Sequence, residues 1–132
     1  LLDASVLTRL ASTAVRIAVE RLAVTDRLAR STITDLELGF SARNGAEHDS
    51  IAGSLAAFAV IDVEPHHLRR ALHVQRTLAD RGLRGRKVPD LVVAACAEDL
   101  GHIVLHYDAD FDHIAGITGQ RVTWVVPSGS ID

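Results

Sequence analysis

Apolar positions along the chain alternate between a helical and a strand period. Val15, Ala18, Val19 and Leu22 keep i, i+3, i+4, i+7 spacing, which predicts a helix over Thr13–Leu22. The helical period returns over Ala46–Ala57, with a face of Ile51, Ser54, Leu55 and Phe58. It returns again from Glu64-Pro65 to Asp80, with a stripe of Leu68, Leu72, Gln75 and Leu78-Ala79 and Pro65 in the first turn. Between these lie short apolar runs that read as strands: Leu1-Leu2, Leu28–Thr32, Val60–Val63, His102–His106 and Arg121–Val126. Asp3–Leu10 starts a helix with Asp3 as its N-cap. Thr34-Asp35-Leu36-Glu37 matches a capping box, with Thr34 as cap and Glu37 reaching back; that helix runs to Arg43 and stops at Asn44-Gly45. A short helix is predicted over Asp112–Ala115, and the tail from Pro127 is polar.

One stretch breaks the amphipathic rule. From Val88 to Ala97 the chain is apolar on almost every helical face, so a helix over Pro89–Leu100 belongs in the middle of the molecule. Yet it opens with Asp90. The alternation of strands and helices predicts an α/β fold, a three-layer α/β/α sandwich around a mainly parallel sheet of four to five strands.

Composition narrows the class. The chain has 132 residues, 48% of them apolar, which suits one domain over residues 1–132. Its single cysteine, Cys96, falls inside the apolar helix and reads as packing. With no disulfide framework, no signal-peptide pattern and no apolar run of about 18 residues, a cytoplasmic protein is expected. The absence of methionine predicts that Leu1 stands a few residues into a longer natural chain. A net charge of −3 argues against a general nucleic-acid coat. The basic residues are uneven, however. Seven of the 14 lie between Arg69 and Lys87, ending in the loop of Arg84, Arg86 and Lys87, which predicts a local phosphate-attracting patch.

Sites in open parallel sheets form at the carboxyl ends of the strands. Asp3 and Asp108 each follow a predicted strand, Glu37 lies in the first turn of the helix after the second strand, and Asp90 opens the helix that feeds the fourth. Each alone reads as a helix cap. Together they cannot all stay ionised without a counter-charge, and no lysine or arginine adjoins three of the four in sequence. Oxygen donors select Mg²⁺ or Mn²⁺, which supports phosphodiester hydrolysis. The histidines compete poorly. His66-His67 are expected on an exposed helix start, and His102 and His106 lie roughly 13 Å apart on a strand.

Four segments in order resemble the PIN-domain nucleases, and among them the VapC-type toxins of toxin–antitoxin pairs. They are Leu1-Leu2-Asp3-Ala4-Ser5-Val6-Leu7, Ile33-Thr34-Asp35-Leu36-Glu37-Leu38-Gly39-Phe40-Ser41, Lys87-Val88-Pro89-Asp90-Leu91 onward, and Val104-Leu105-His106-Tyr107-Asp108-Ala109-Asp110. The resemblance implies that Asp3, Glu37, Asp90 and Asp108 form a metal-binding, catalytic quartet. It makes Ser5 and Asp110 auxiliary. For an RNA substrate, the basic loop of Arg84, Arg86 and Lys87 is the candidate for binding. It implies an endoribonuclease using Mg²⁺ or Mn²⁺ to activate water, a structured RNA target such as tRNA or rRNA, a homodimer, and silencing by a cognate antitoxin. The fourth segment departs from the family's usual Thr-Arg-Asp or Thr-Asn-Asp, which bears on substrate positioning. The competing expectation is a catalytically silent scaffold that binds a partner.

Overall fold

The computed structural model describes residues 1–132. In chain order the elements are α1 (Ala4–Leu7), α2 (Thr13–Thr25), β1 (Ala29–Ser31), α3 (Thr32–Gly39), α4 (Gly45–Leu55), β2 (Ala59–Ile61), α5 (Pro65–Asp80), α6 (Val88–Leu100), β3 (Val104–His106), α7 (Asp110–Thr118) and β4 (Val122–Trp124). β1 pairs in parallel with β2, and β3 in parallel with β4. The extended segment Leu1–Asp3 joins the two pairs. The Leu2 amide donates to Ala29 O at 2.8 Å, the Leu105 amide to Leu1 O at 2.9 Å, and the Asp3 amide to Leu105 O at 3.0 Å. The order across the sheet is therefore β2, β1, Leu1–Asp3, β3, β4, and Leu2 also pairs in parallel with Leu105.

Side chains alternate across this sheet. Leu1 and Val104 face a core built with α5, α6 and α7, whereas Leu2 and Leu105 face a second core built with α1, α2 and α4. Two cores on opposite faces of one sheet make the α/β/α sandwich that the alternation predicts. Fully buried large side chains such as Phe111 and Leu78 each contribute about 1.5–3 kcal/mol of burial.

α6 is the centre of the first core. Eight consecutive residues, Asp90 to Ala97, are buried, and the helix packs on α3, α5, α7 and β3. Cys96 is among them, fully enclosed. Gly101 ends the helix at φ 69°, a left-handed conformation that glycine adopts without a Cβ clash.

Several local expectations are corrected. α3 is capped by Ser31, whose Oγ accepts from the Thr34 amide at 3.4 Å. β1 runs straight into α3 with no loop, so the last strand residue becomes the cap and Thr34 is buried. Glu37 then falls in the second turn, too far along to close a capping box. Asn44 starts a helix rather than stopping one, its Oδ1 accepting from the Glu47 amide at 2.9 Å. α7 extends to Thr118, because Phe111, Ile114 and Ile117 pack against the core containing α6.

His67 is buried, not exposed. Its Nδ1 accepts the Glu64 amide at 2.9 Å, so the ring hydrogen sits on Nε2, which donates to Asp99 Oδ2 at 2.9 Å. His66 Nε2 stands 3.0 Å from the same oxygen. A metal at this cluster would have to displace that Nε2 hydrogen while Nδ1 stays occupied. The three residues instead latch the start of α5 to the end of α6.

Candidate active site: a buried carboxylate cluster

The site begins where Leu1–Asp3 ends. Asp3 caps α1, and its Oδ2 accepts both the Ser5 amide at 2.9 Å and the Ser5 hydroxyl at 2.6 Å. Ser5 Oγ in turn accepts the Tyr107 amide at 2.9 Å. One hydroxyl thus ties the turn after Leu1–Asp3 to the chain leaving β3, and so sets the spacing of Asp3 and Asp108. Ser5→Ala removes both bonds and leaves the Tyr107 amide without an acceptor. The expected result is a loss of about 1–3 kcal/mol in unfolding free energy, read by urea denaturation; an unchanged midpoint would deny Ser5 this role.

Asp90 sits in the first turn of α6 and is 3% exposed. Asp108 follows β3. Its Oδ1 accepts the Asp110 amide at 3.0 Å, and its Oδ2 accepts Lys87 Nζ at 2.5 Å. Asp110, first residue of α7, accepts Arg86 Nη1 at 2.8 Å. Carboxylate oxygens of Asp90, Asp108 and Asp110 lie within 4.8 Å of one another. Asp3, Glu37, Asp90 and Asp108 together line a cavity of about 190 Å³. Asp110 thus stands beside Asp90 and Asp108, outside the cavity lining. Larger cavities, of about 370 and 430 Å³, lie elsewhere around Asp26 and Leu28 and gather no comparable set of carboxylates.

The electrostatics are strained. Asp3 Oδ1, Glu37 Oε1 and Asp90 Oδ2 are buried and accept no hydrogen bond. Burial, reinforced by the charges of Asp3 and Asp108, pushes the Asp90 carboxyl up to about 8, with Lys87 only partly offsetting it. Burial and the Asp3 charge push Glu37 up to about 7. Asp3 is also raised, by burial first, against the hydrogen bonds from Ser5 and the Ala4 amide. For Asp108 the upward push of burial is outweighed by the Lys87 hydrogen bond, the Asp110 amide and the Lys87 charge, and it lies below the usual carboxylate range. Three orphaned, oxygen-only donors around one cavity, short of positive charge, fit a hard divalent cation.

Two of the expected RNA-binding residues are engaged inside the protein. Lys87 is held by Asp108 and Arg86 by Asp110, because the basic loop folds over the acidic one. Only Arg84 is exposed and free of ion pairs. The departure at His106 also has a structural account. Its ring is buried between Phe111 and Trp124, with both centroids at 5.0 Å, and its Nδ1 accepts the Asp108 amide at 3.2 Å. Burial lowers its pKa, against the raising charges of Asp112, Asp3 and Asp108. The cavity also takes in Thr8, Arg9 and Tyr107, which the sequence reading passed over. Arg9 lies one helical turn beyond Ser5, and that i, i+4 spacing was the available signal.

Comparison with known proteins places the chain in a family. A family described as PIN domain matches residues 1–117. Ribonuclease VapC51 of Mycobacterium tuberculosis (strain ATCC 25618 / H37Rv) is 55% identical over 132 residues, covering 100% of this chain and 96% of that protein. The fold aligns with VapBC2 from Rickettsia felis, solved bound to a DNA fragment from its promoter, at a TM-score of 0.76 and 17% identity, covering 92% of this chain and 95% of that one. It also aligns with VapBC-5 from Mycobacterium tuberculosis, a member of the VapBC family of toxin–antitoxin systems, at a TM-score of 0.61 and 25% identity, covering 75% and 82%. With the family matched over most of its length and a full-length relative at this identity, the chain belongs to the VapC group of the PIN-domain family.

Proposed function

We propose that this protein is the toxin of a toxin–antitoxin pair, an endoribonuclease that hydrolyses RNA phosphodiester bonds with Mg²⁺ or Mn²⁺. The observation that carries this reading is the convergence of three buried, unpartnered carboxylate oxygens, from Asp3, Glu37 and Asp90, on one cavity with Asp108. In this reading one PIN-like domain spans residues 1–132. Asp3 and Asp90 would hold the ion most directly, and Glu37 and Asp108 would complete the cage or hold the attacking water. When bound, the ion supplies activated water and charge cover for the phosphate.

The chain's own groups do the rest. Ser5 holds Asp3 in its rotamer by donating to Oδ2, leaving Oδ1 without a partner. The Asp110 amide fixes Asp108 by donating to its Oδ1. Glu37 Oε1, the orphan on α3, would accept a hydrogen bond from attacking water. Lys87 supplies a positive charge at Asp108. No 2′-hydroxyl takes part, since water is the nucleophile. The substrate in this reading is a structured RNA of the tRNA or rRNA class. The partners are an antitoxin, as in the toxin–antitoxin systems of its relatives, and a second copy of the chain; the site of action is the cytoplasm. No helix is long and apolar enough to cross a membrane.

The test is incubation of the wild-type protein with tRNA and rRNA, with Mg²⁺, with Mn²⁺ and with EDTA, alongside calorimetric titration of each ion. Divalent binding and cleavage lost in EDTA are expected. RNA binding without cleavage under any of these conditions would replace the reading with a silent scaffold.

A further inference from the structure

We propose that Arg9 is a phosphate-binding residue of this site, presenting its guanidinium to the RNA backbone beside the carboxylates. The proposal rests on the nuclease reading and supplies a contact that the reading lacks. A polyanion entering a cavity walled by Asp3, Glu37, Asp90 and Asp108 needs positive charge at the rim. The cavity holds two basic side chains, Arg9 and Lys87. Lys87 is already bonded to Asp108, and Arg86 nearby is bonded to Asp110. Arg9 pairs with no carboxylate of the cluster.

The guanidinium of Arg9 is held from two sides. Nη1 donates to Ser5 O at 2.8 Å, and the group lies 4.9 Å over the Tyr107 ring, a cation–π contact. Ser5 is the residue that clamps Asp3, so Arg9 is registered to the carboxylate cluster through one short turn. Nη2 makes no bond within the chain. The one acidic neighbour is Asp132, whose Oδ1 stands 3.4 Å from Nε without forming a hydrogen bond; its side chain is 76% exposed. With no hydrogen bond formed and the Asp132 carboxylate largely in solvent, the pair contributes little and yields readily to a phosphate. The planar fork of arginine matches two phosphate oxygens, and a stacked, anchored fork loses little freedom on binding. The competing role is purely structural, with Arg9 bracing Tyr107.

The experiment compares wild type, Arg9→Met and Arg9→Lys. Met keeps an apolar stem against Tyr107, and Lys keeps the charge. A mixed-sequence fluorescent RNA oligonucleotide is bound in Ca²⁺ and cleaved in Mn²⁺ from about 50 to 200 mM KCl, with Mn²⁺ affinity measured separately by calorimetry. Arg9→Met is expected to weaken RNA binding about 10-fold and raise KM. Its slope of log K against log salt should flatten by about 0.7–0.9, the value for one phosphate contact, with Mn²⁺ affinity unchanged. Arg9→Lys should retain the slope and recover part of the affinity. A merely structural Arg9 would lower the melting temperature without moving the slope, and that result overturns the proposal, as does wild-type affinity and slope in Arg9→Met. If the wild type itself neither binds nor cleaves the RNA, the nuclease reading falls, and the Arg9 proposal with it.

Discussion

Asp90→Asn lowers the rate of RNA cleavage by more than about 100-fold while the protein stays folded. The size follows from position. Losing even a group that only orients a metal ligand costs about 10–100-fold, and Asp90 itself offers an orphaned oxygen to the cavity. Folding should survive for the same electrostatic reason. The Asp90 carboxyl is buried and repelled by Asp3 and Asp108, which is why it holds its proton up to about 8. Asparagine has the same shape and no charge to bury, so the variant is expected to melt at or above the wild-type temperature at pH 8. Calorimetry should show divalent binding lost along with cleavage. Wild-type turnover by a folded Asp90→Asn protein would show that the site is misassigned.

The second expectation concerns pH in the metal-free protein. Glu37 and Asp90 have folded-state pKa values of about 7 and about 8, above ordinary values of 4.5 and 3.8. Between those limits the folded chain keeps protons that the unfolded chain releases. The stability linked to these groups is therefore complete at low pH and is lost as pH rises through 7 and then 8. His102, His106 and the Leu1 amino group are lowered by burial and act in the opposite sense. The quantity to measure is thus the difference in unfolding free energy between wild type and Asp90→Asn, in EDTA, from pH 5 to pH 8.5. Wild type should lose ground to the variant across that window, with a slope approaching one proton per molecule. Mg²⁺ or Mn²⁺ at about 100 times its dissociation constant should then restore about 2.7 kcal/mol at pH 8 to wild type alone. A pH-independent difference would mean that Asp90 is ionised in the folded chain without help, and the case for a cation would lose its electrostatic basis.

What the sequence by itself determined is the part written in local period and in order. The run from Val88 to Ala97 has no polar face, so it had to be the buried helix, and it is. Strand runs alternating with helical ones required a parallel sheet, and carboxylates placed after strands required them to share an edge. Asp3 and Asp108 were legible for this reason, since their backbone positions follow directly from where the strands end. The capping box at Thr34 was misread because the same four residues satisfy a cap locally. Only the sheet, by running β1 straight into α3, gave that role to Ser31 and released Glu37 toward the cavity.

Tertiary structure alone decided where the charges go. Lys87 and Arg86 read as free cations on a loop, but folding that loop over the one after β3 set them on Asp108 and Asp110. His67 read as exposed until α5 packed on α6 and gave both ring nitrogens partners. Arg9 carried almost no signal, because its place depends on Ser5 and on a tyrosine 98 positions away in the chain (107 − 9). Period and order are properties of neighbours along the chain. Ion pairing and burial depend on which distant segments meet, and here that was settled by Leu1–Asp3 joining β1 to β3 at the centre of the sheet.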